Sequence, residues 1–103
     1  MIVRIIIPTQ LPNGKDVGHL LLHDYKVRIA AIAGGYTSTS GEGGWKNDKG
    51  VLTREPILIV DISISDNRQV DALRTLAGTI CEDLEQDCVF FQIDNEVEYV
   101  KCD

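Results

Sequence analysis

Stretches whose apolar residues step by two alternate along this chain with stretches that step by three and four, and this switching of period leaves few folds open. Residues 2–7 form a β-branched run in which Val3, Ile5 and Ile7 share one side and Ile2, Arg4 and Ile6 the other. Pro8, Pro12 and Asn13-Gly14 then mark a loop. Pro8 ends the run early and no small-residue cleavage site follows, so the segment predicts a first strand and not a secretion signal. Asp16 suits a helix cap, and after it Val17, Leu21, Tyr25, Ile29 and Ile32 recur at helical spacing until Gly34-Gly35 offers a left-handed stop.

The middle of the chain returns to strand. Tyr36 to Ser40 favours extended backbone, and Gly41, Gly43 and Gly44 predict a bulge or a close backbone approach. Asn47-Asp48-Lys49-Gly50 is a turn signal, which places Trp45 and Val51 at the tip of a hairpin. Val51 to Ile64 resumes as strand, its early part confined by Pro56 to an edge or an irregular stretch. Asp66 with Gln69 forms a capping box ahead of a second helix, whose seam is Val70, Leu73, Ala77, Ile80 and Leu84. Val89–Ile93 is the fourth main strand, and Asp94-Asn95 turns the chain into a short last one at Glu96–Val100.

The resulting order, β-α-β-β-α-β plus a tail, predicts a ferredoxin-like plait: an α+β domain with two helices on one face of an antiparallel sheet and a short extra C-terminal strand. The 103 residues contain no linker or repeat, so residues 1–103 read as one domain. Helices on one face leave the other bare, and there Ile2, Ile6, Ile57, Ile59 and Phe90 are expected to point away from them. An apolar patch of that size predicts self-association, most simply a homodimer. The alternative is that the C-terminal strand or the glycine-rich hairpin folds over this face.

Charge narrows the partners. Lys and Arg number 10 against 16 Asp and Glu, a formal charge of −6, and no basic cluster offsets it, so neither nucleic acid nor an anionic membrane is expected. No apolar run approaches the ~20 residues of a bilayer span. Three cysteines, Cys81, Cys88 and Cys102, lack metal-ligand spacing and leave an odd count, which favours a reducing, cytoplasmic setting. Cys81 reads as a core residue of the second helix and Cys102 as a loose thiol. His19 and His23 stand four apart, yet no further ligands cluster with them, so neither a metal nor a cofactor is expected.

The hairpin segment Gly34–Pro56 gathers Tyr36, Glu42, Trp45, Arg54 and Glu55 with its glycines, and these five are the candidate ligand-binding residues. Arginine pairs with carboxylate or phosphate, and Glu42 with Glu55 would form an acid–base pair if the hairpin brought them together. The structural alternative is a twisted hairpin whose glycines relieve curvature. The pattern Gly34-Gly35, Thr37, Gly41, Gly44-Trp45, Gly50 and Arg54-Glu55-Pro56 resembles a bacterial family of small domains of unknown function with a G-x-T…W…G…R-E-P hairpin. That resemblance implies the hairpin and the plait but no reaction; more distantly the layout is similar to oligomeric plaits of nitrogen-regulatory and cation-tolerance type. The expected function is a small homo-oligomeric binding or accessory protein. The alternatives are a small enzyme with a pocket at the sheet face of a dimer, and a structural subunit of a larger complex.

Overall fold

A computed structural model describes residues 1–102. Its elements are β1 (Ile2–Pro8), α1 (His19–Ala33), β2 (Thr37–Lys46), β3 (Leu52–Ser63), α2 (Asn67–Asp83), β4 (Cys88–Ile93) and β5 (Glu96–Lys101). The strands form one antiparallel sheet in the order β2-β3-β1-β4-β5. The α+β class and the two helices follow the alternation of period in the sequence.

The core lies between the helices and one sheet face. Val3, Ile5 and Ile7 of β1, Leu58, Val60 and Ile62 of β3, and Val89 and Phe91 of β4 are buried against Tyr25 and Ile29 of α1 and the α2 seam Val70, Leu73, Ala77 and Ile80. Each fully buried aliphatic side chain of this set contributes about 1.5–3 kcal/mol before chain entropy is subtracted. The capping box of α2 forms as read: Asp66 accepts from the Arg68 and Gln69 amides at 2.9 and 3.1 Å, and the Gln69 side chain accepts from the Asp66 amide at 3.1 Å. Helix α1 stops at Gly34, whose φ of 89° is left-handed and whose N–H donates to the Ala30 carbonyl at 2.7 Å.

Three local expectations are corrected. Asp16 does not cap α1, which begins after Gly18 without a side-chain cap. The Val17 amide donates instead to the Thr9 carbonyl, and Gln10 bridges Asp16, so residues 9–17 close on themselves before the helix starts. The glycines of β2 make no bulge, because the strand pairs with β3 one for one from Thr37–Asp61 to Lys46–Leu52. Nor do they mark a forced approach: a Cβ at Gly43 would meet Ile57 Cγ2 at 3.4 Å and one at Gly41 would meet Ile59 Cδ1 at 3.6 Å, both ordinary contact distances. The early part of β3 is an edge, as Pro56 requires: the β1 ladder ends at Pro8–Ile57, residues 52–56 pair with β2 alone, and the Pro56 carbonyl accepts from the Thr9 amide.

The last correction concerns the cysteines. Cys102 is not a loose thiol but is disulfide-bonded to Cys81, with Cα atoms 5.0 Å apart, while Cys88 is free. Alternation along β5 brings residue 102 onto the helix side, above the final turns of α2. Strand β5 itself extends the sheet beside β4 and folds over neither face. Among the described residues, no helix is long and apolar enough to cross a membrane.

Candidate functional site

Register assigns the side chains of the open face. Counting alternately from the buried set, this face carries Ile2, Arg4 and Ile6 on β1, Ile57, Ile59 and Asp61 on β3, Cys88 and Phe90 on β4, and Val97 and Tyr99 on β5. All five residues expected to point away from the helices therefore do so. They are not equally bare, since Ile2 is 51% exposed whereas Ile57 is 7% exposed, tucked beneath Gly41 and Gly43.

At the end of this face where β1 stops lies an open groove of about 800 Å³. Ile6, Ile57 and Phe90 line its apolar part. One wall belongs to the β2–β3 hairpin, which projects past the end of β1 and contributes Trp45, Arg54 and Glu55. The opposite wall is the turn Glu85–Asp87 between α2 and β4, with Tyr99 of β5 beside it. Tyr99 meets Phe90 edge to face, ring centres 6.0 Å apart. The hairpin holds its shape because Asn47 Oδ1 accepts from the amides of Lys49 and Val51 and Gly50 adopts a φ of 78°.

The lining mixes three aromatic rings, Trp45, Phe90 and Tyr99, with three carboxylates, Glu55, Glu85 and Asp87, and a single cationic side chain, Arg54. Aromatic faces and carboxylates both attract a cationic ligand, and Arg54 is the complementary group for a ligand carboxylate. Arg54 is exposed and belongs to none of the ion pairs among the described residues, so its donors are available. Further along the same face the Arg4 guanidinium donates to both carboxylate oxygens of Asp61 at 2.7 and 3.0 Å, which holds the Asp61 carboxyl below its ordinary value.

Of the five candidate ligand-binding residues, Trp45 and Glu55 share the groove side of the hairpin, Arg54 borders the groove but leaves the strand on the other face by register, and Glu42 and Tyr36 do not line it. Glu42 stands opposite Pro56 and Glu55 opposite Gly43, adjacent rungs whose side chains leave opposite faces of the hairpin. The supposed acid–base pair of Glu42 and Glu55 is thus not formed. Tyr36 precedes β2 at its far end, nine residues from Trp45 and so about 30 Å away by strand rise. Sequence reading missed Tyr99 and the turn Glu85–Asp87, because their place depends on the β4–β5 pairing. No cluster of three or more metal-ligating side chains occurs among the described residues.

No protein-family model matches the chain, and no curated protein matches it. Among solved structures, it is similar to a phage SAM lyase in complex with S-methyl-5′-thioadenosine, with a TM-score of 0.73 and 14% identity over 98% of this chain and 88% of that one. It is also similar to a phage SAM lyase in its apo state, with a TM-score of 0.61 and 16% identity over 98% of this chain and 81% of the other. At these identities the likeness establishes a shared fold. It corrects the expectation of a binding or accessory protein or a structural subunit: both structures that share this architecture nearly end to end are of a lyase.

Proposed function

We propose that the protein is a small lyase that cleaves a sulfonium nucleoside of the S-adenosylmethionine (SAM) type in the groove, releasing S-methyl-5′-thioadenosine. The observation that carries this reading is the match over 98% of the chain to a lyase with that thioether bound. The chemistry of the groove supports it. SAM carries a positive sulfonium, a purine and an amino-acid carboxylate; the aromatic rings and carboxylates suit the first two, and Arg54 suits the third. A volume of about 800 Å³ accommodates a nucleoside of this size.

The reaction needs little of the protein beyond shape and polarity. The substrate's own carboxylate oxygen closes on its γ-carbon, one C–O bond forms, and the C–S bond breaks with its electron pair leaving on sulfur. The products are the neutral thioether and the lactone of homoserine, and no water is consumed. A negative and a positive charge vanish together in this step, so the apolar surface of Ile6, Ile57 and Phe90 favours the transition state over the separated charges. Arg54, on this reading, reaches round the edge of the hairpin to hold the carboxylate for ring closure, and Trp45 packs against the purine or the sulfonium.

We further read the first six elements as a ferredoxin-like plait extended by β5, and the open face as the contact for a second copy of the chain. A cytoplasmic setting is part of this proposal because SAM is made inside cells, although the Cys81–Cys102 bond removes the cysteine argument for a reducing compartment. The direct test incubates the purified protein with SAM and follows both products by chromatography. Release of S-methyl-5′-thioadenosine at a rate proportional to enzyme is expected. Unchanged SAM, or adenosine-containing products other than the thioether, would overturn the assignment.

A further inference from the structure

We propose that the Cys81–Cys102 disulfide is a redox-controlled clasp on the groove, opened by a dithiol reductant. This inference rests on reading the groove as a ligand site. The bond joins residues 21 apart in sequence and encloses β4, β5 and the turn Glu85–Asp87, the elements that build one wall of the groove. Strand β5 is an edge strand paired only with β4. Its other ties to the body are the Arg74–Glu98 ion pair and the partly buried Val100. The wall turn is anchored close to the same cysteine, since the Gln86 amide donates to the Cys81 carbonyl at 2.9 Å. Glu85, in that turn, sits at a positive φ of 56°, where a non-glycine residue needs its surroundings to hold it.

The two sulfurs differ in access. Cys81 is 0% exposed, whereas Cys102 is exposed beside the end of β5. A thiolate of the reductant therefore attacks the Cys102 sulfur, and the bonding pair leaves on Cys81, which takes up a proton. The second thiol of the reductant then attacks the mixed disulfide, leaving Cys102 as a thiol and the reductant as its own disulfide. Two electrons pass from dithiol to protein and the balance closes. Cys88 is no partner in this exchange, because it faces the groove on the opposite side of the sheet. Reduction releases the end of β5 and the turn together, so the wall carrying Tyr99, Glu85 and Asp87 loosens while the buried sheet centre keeps its packing.

The test compares the oxidised protein, the dithiothreitol-reduced protein and Cys102→Ser, with Cys88→Ser as a control for the thiol count alone. Alkylation counted by mass spectrometry should find one free thiol before reduction and three after, matching the single free cysteine of the structure. Amide exchange at residues 85–88 and 97–101 should rise roughly tenfold or more on reduction and in Cys102→Ser, with β1 and α1 unchanged. Affinity for S-methyl-5′-thioadenosine, measured by calorimetry, should fall about tenfold in the same two samples relative to the oxidised parent. Equal exchange in both redox states overturns the clasp. So does global unfolding of the reduced protein or of Cys102→Ser, which would make the bond a plain staple. If the oxidised protein does not bind the thioether at all, the lyase assignment fails, and the exchange data still decide whether the clasp opens.

Discussion

At the scale of single residues, the groove separates side chains that hold the fold from side chains free to act. Arg54 and Trp45 are exposed and lie on a projecting hairpin, with no part in the core. Truncating either should leave stability within ~0.5 kcal/mol, the usual range for a surface change. Function should respond differently at the two positions. Arg54→Ala removes a charge-assisted contact worth ~1.5–3 kcal/mol, so kcat/KM for SAM cleavage should fall about 10–100-fold, with recovery in part by Arg54→Lys. Trp45→Ala removes an aromatic face worth ~0.5–2 kcal/mol and should raise KM more than it lowers kcat. Steady-state kinetics on variants whose melting temperatures match the parent would check both, and unchanged constants would take these residues out of the site.

Elements decide what else can be read from the chain. The α2 cap and seam, the Gly34 stop and the outward set Ile2, Ile6, Ile57, Ile59 and Phe90 were legible because each depends on local periodicity or on one or two neighbouring residues. The closure of residues 9–17, the one-for-one pairing of the β2 glycines and the Cys81–Cys102 bond depend on which strands meet, which periodicity does not encode. The same holds for the wall of the groove, which joins the hairpin to a turn 30 and more residues later in the chain. Helix-to-helix contacts show the cost of such distant meetings. Tyr25 of α1 is fully buried and donates its hydroxyl to Asp83 at the end of α2 at 2.8 Å. Burial, with the nearby carboxylate, pushes the phenol well above its ordinary value near 10. The raised value means that the contribution is fully present below pH ~10 and is lost as pH climbs, because the unfolded chain ionises this tyrosine first. Denaturant midpoints should therefore decline between pH ~10 and 12, and Tyr25→Phe should be about 1 kcal/mol less stable at neutral pH with a shallower alkaline decline. An alkaline profile identical in the variant would remove Tyr25 as its source.

For the whole molecule the question is what covers the open side of the sheet. Ile2 is 51% exposed, Val97 49% and Tyr99 63%, and half-buried Ile6, Ile59 and Phe90 join them on a single face. Leaving so much apolar surface wet is costly at ~25 cal/mol per Å², and a second copy laid on this face would recover it for both chains. Assembly would also serve the chemistry. The groove opens toward the same side, and ring closure gains from a site that excludes water, which an open groove does only in part. Association and activity should then fall together. Ile59→Lys places a charge on the open face at a position that does not itself line the groove, directly across from Ile6, which does. In sedimentation at ~10 µM the parent should run as more than one copy and Ile59→Lys as one, since an interface must bury a charge to survive that change. The variant should keep its fold by circular dichroism yet lose SAM cleavage at least tenfold, with activity returning as protein concentration rises. A parent that sediments as single copies at full activity would show that one chain encloses its substrate unaided, and the apolar face would then need another occupant.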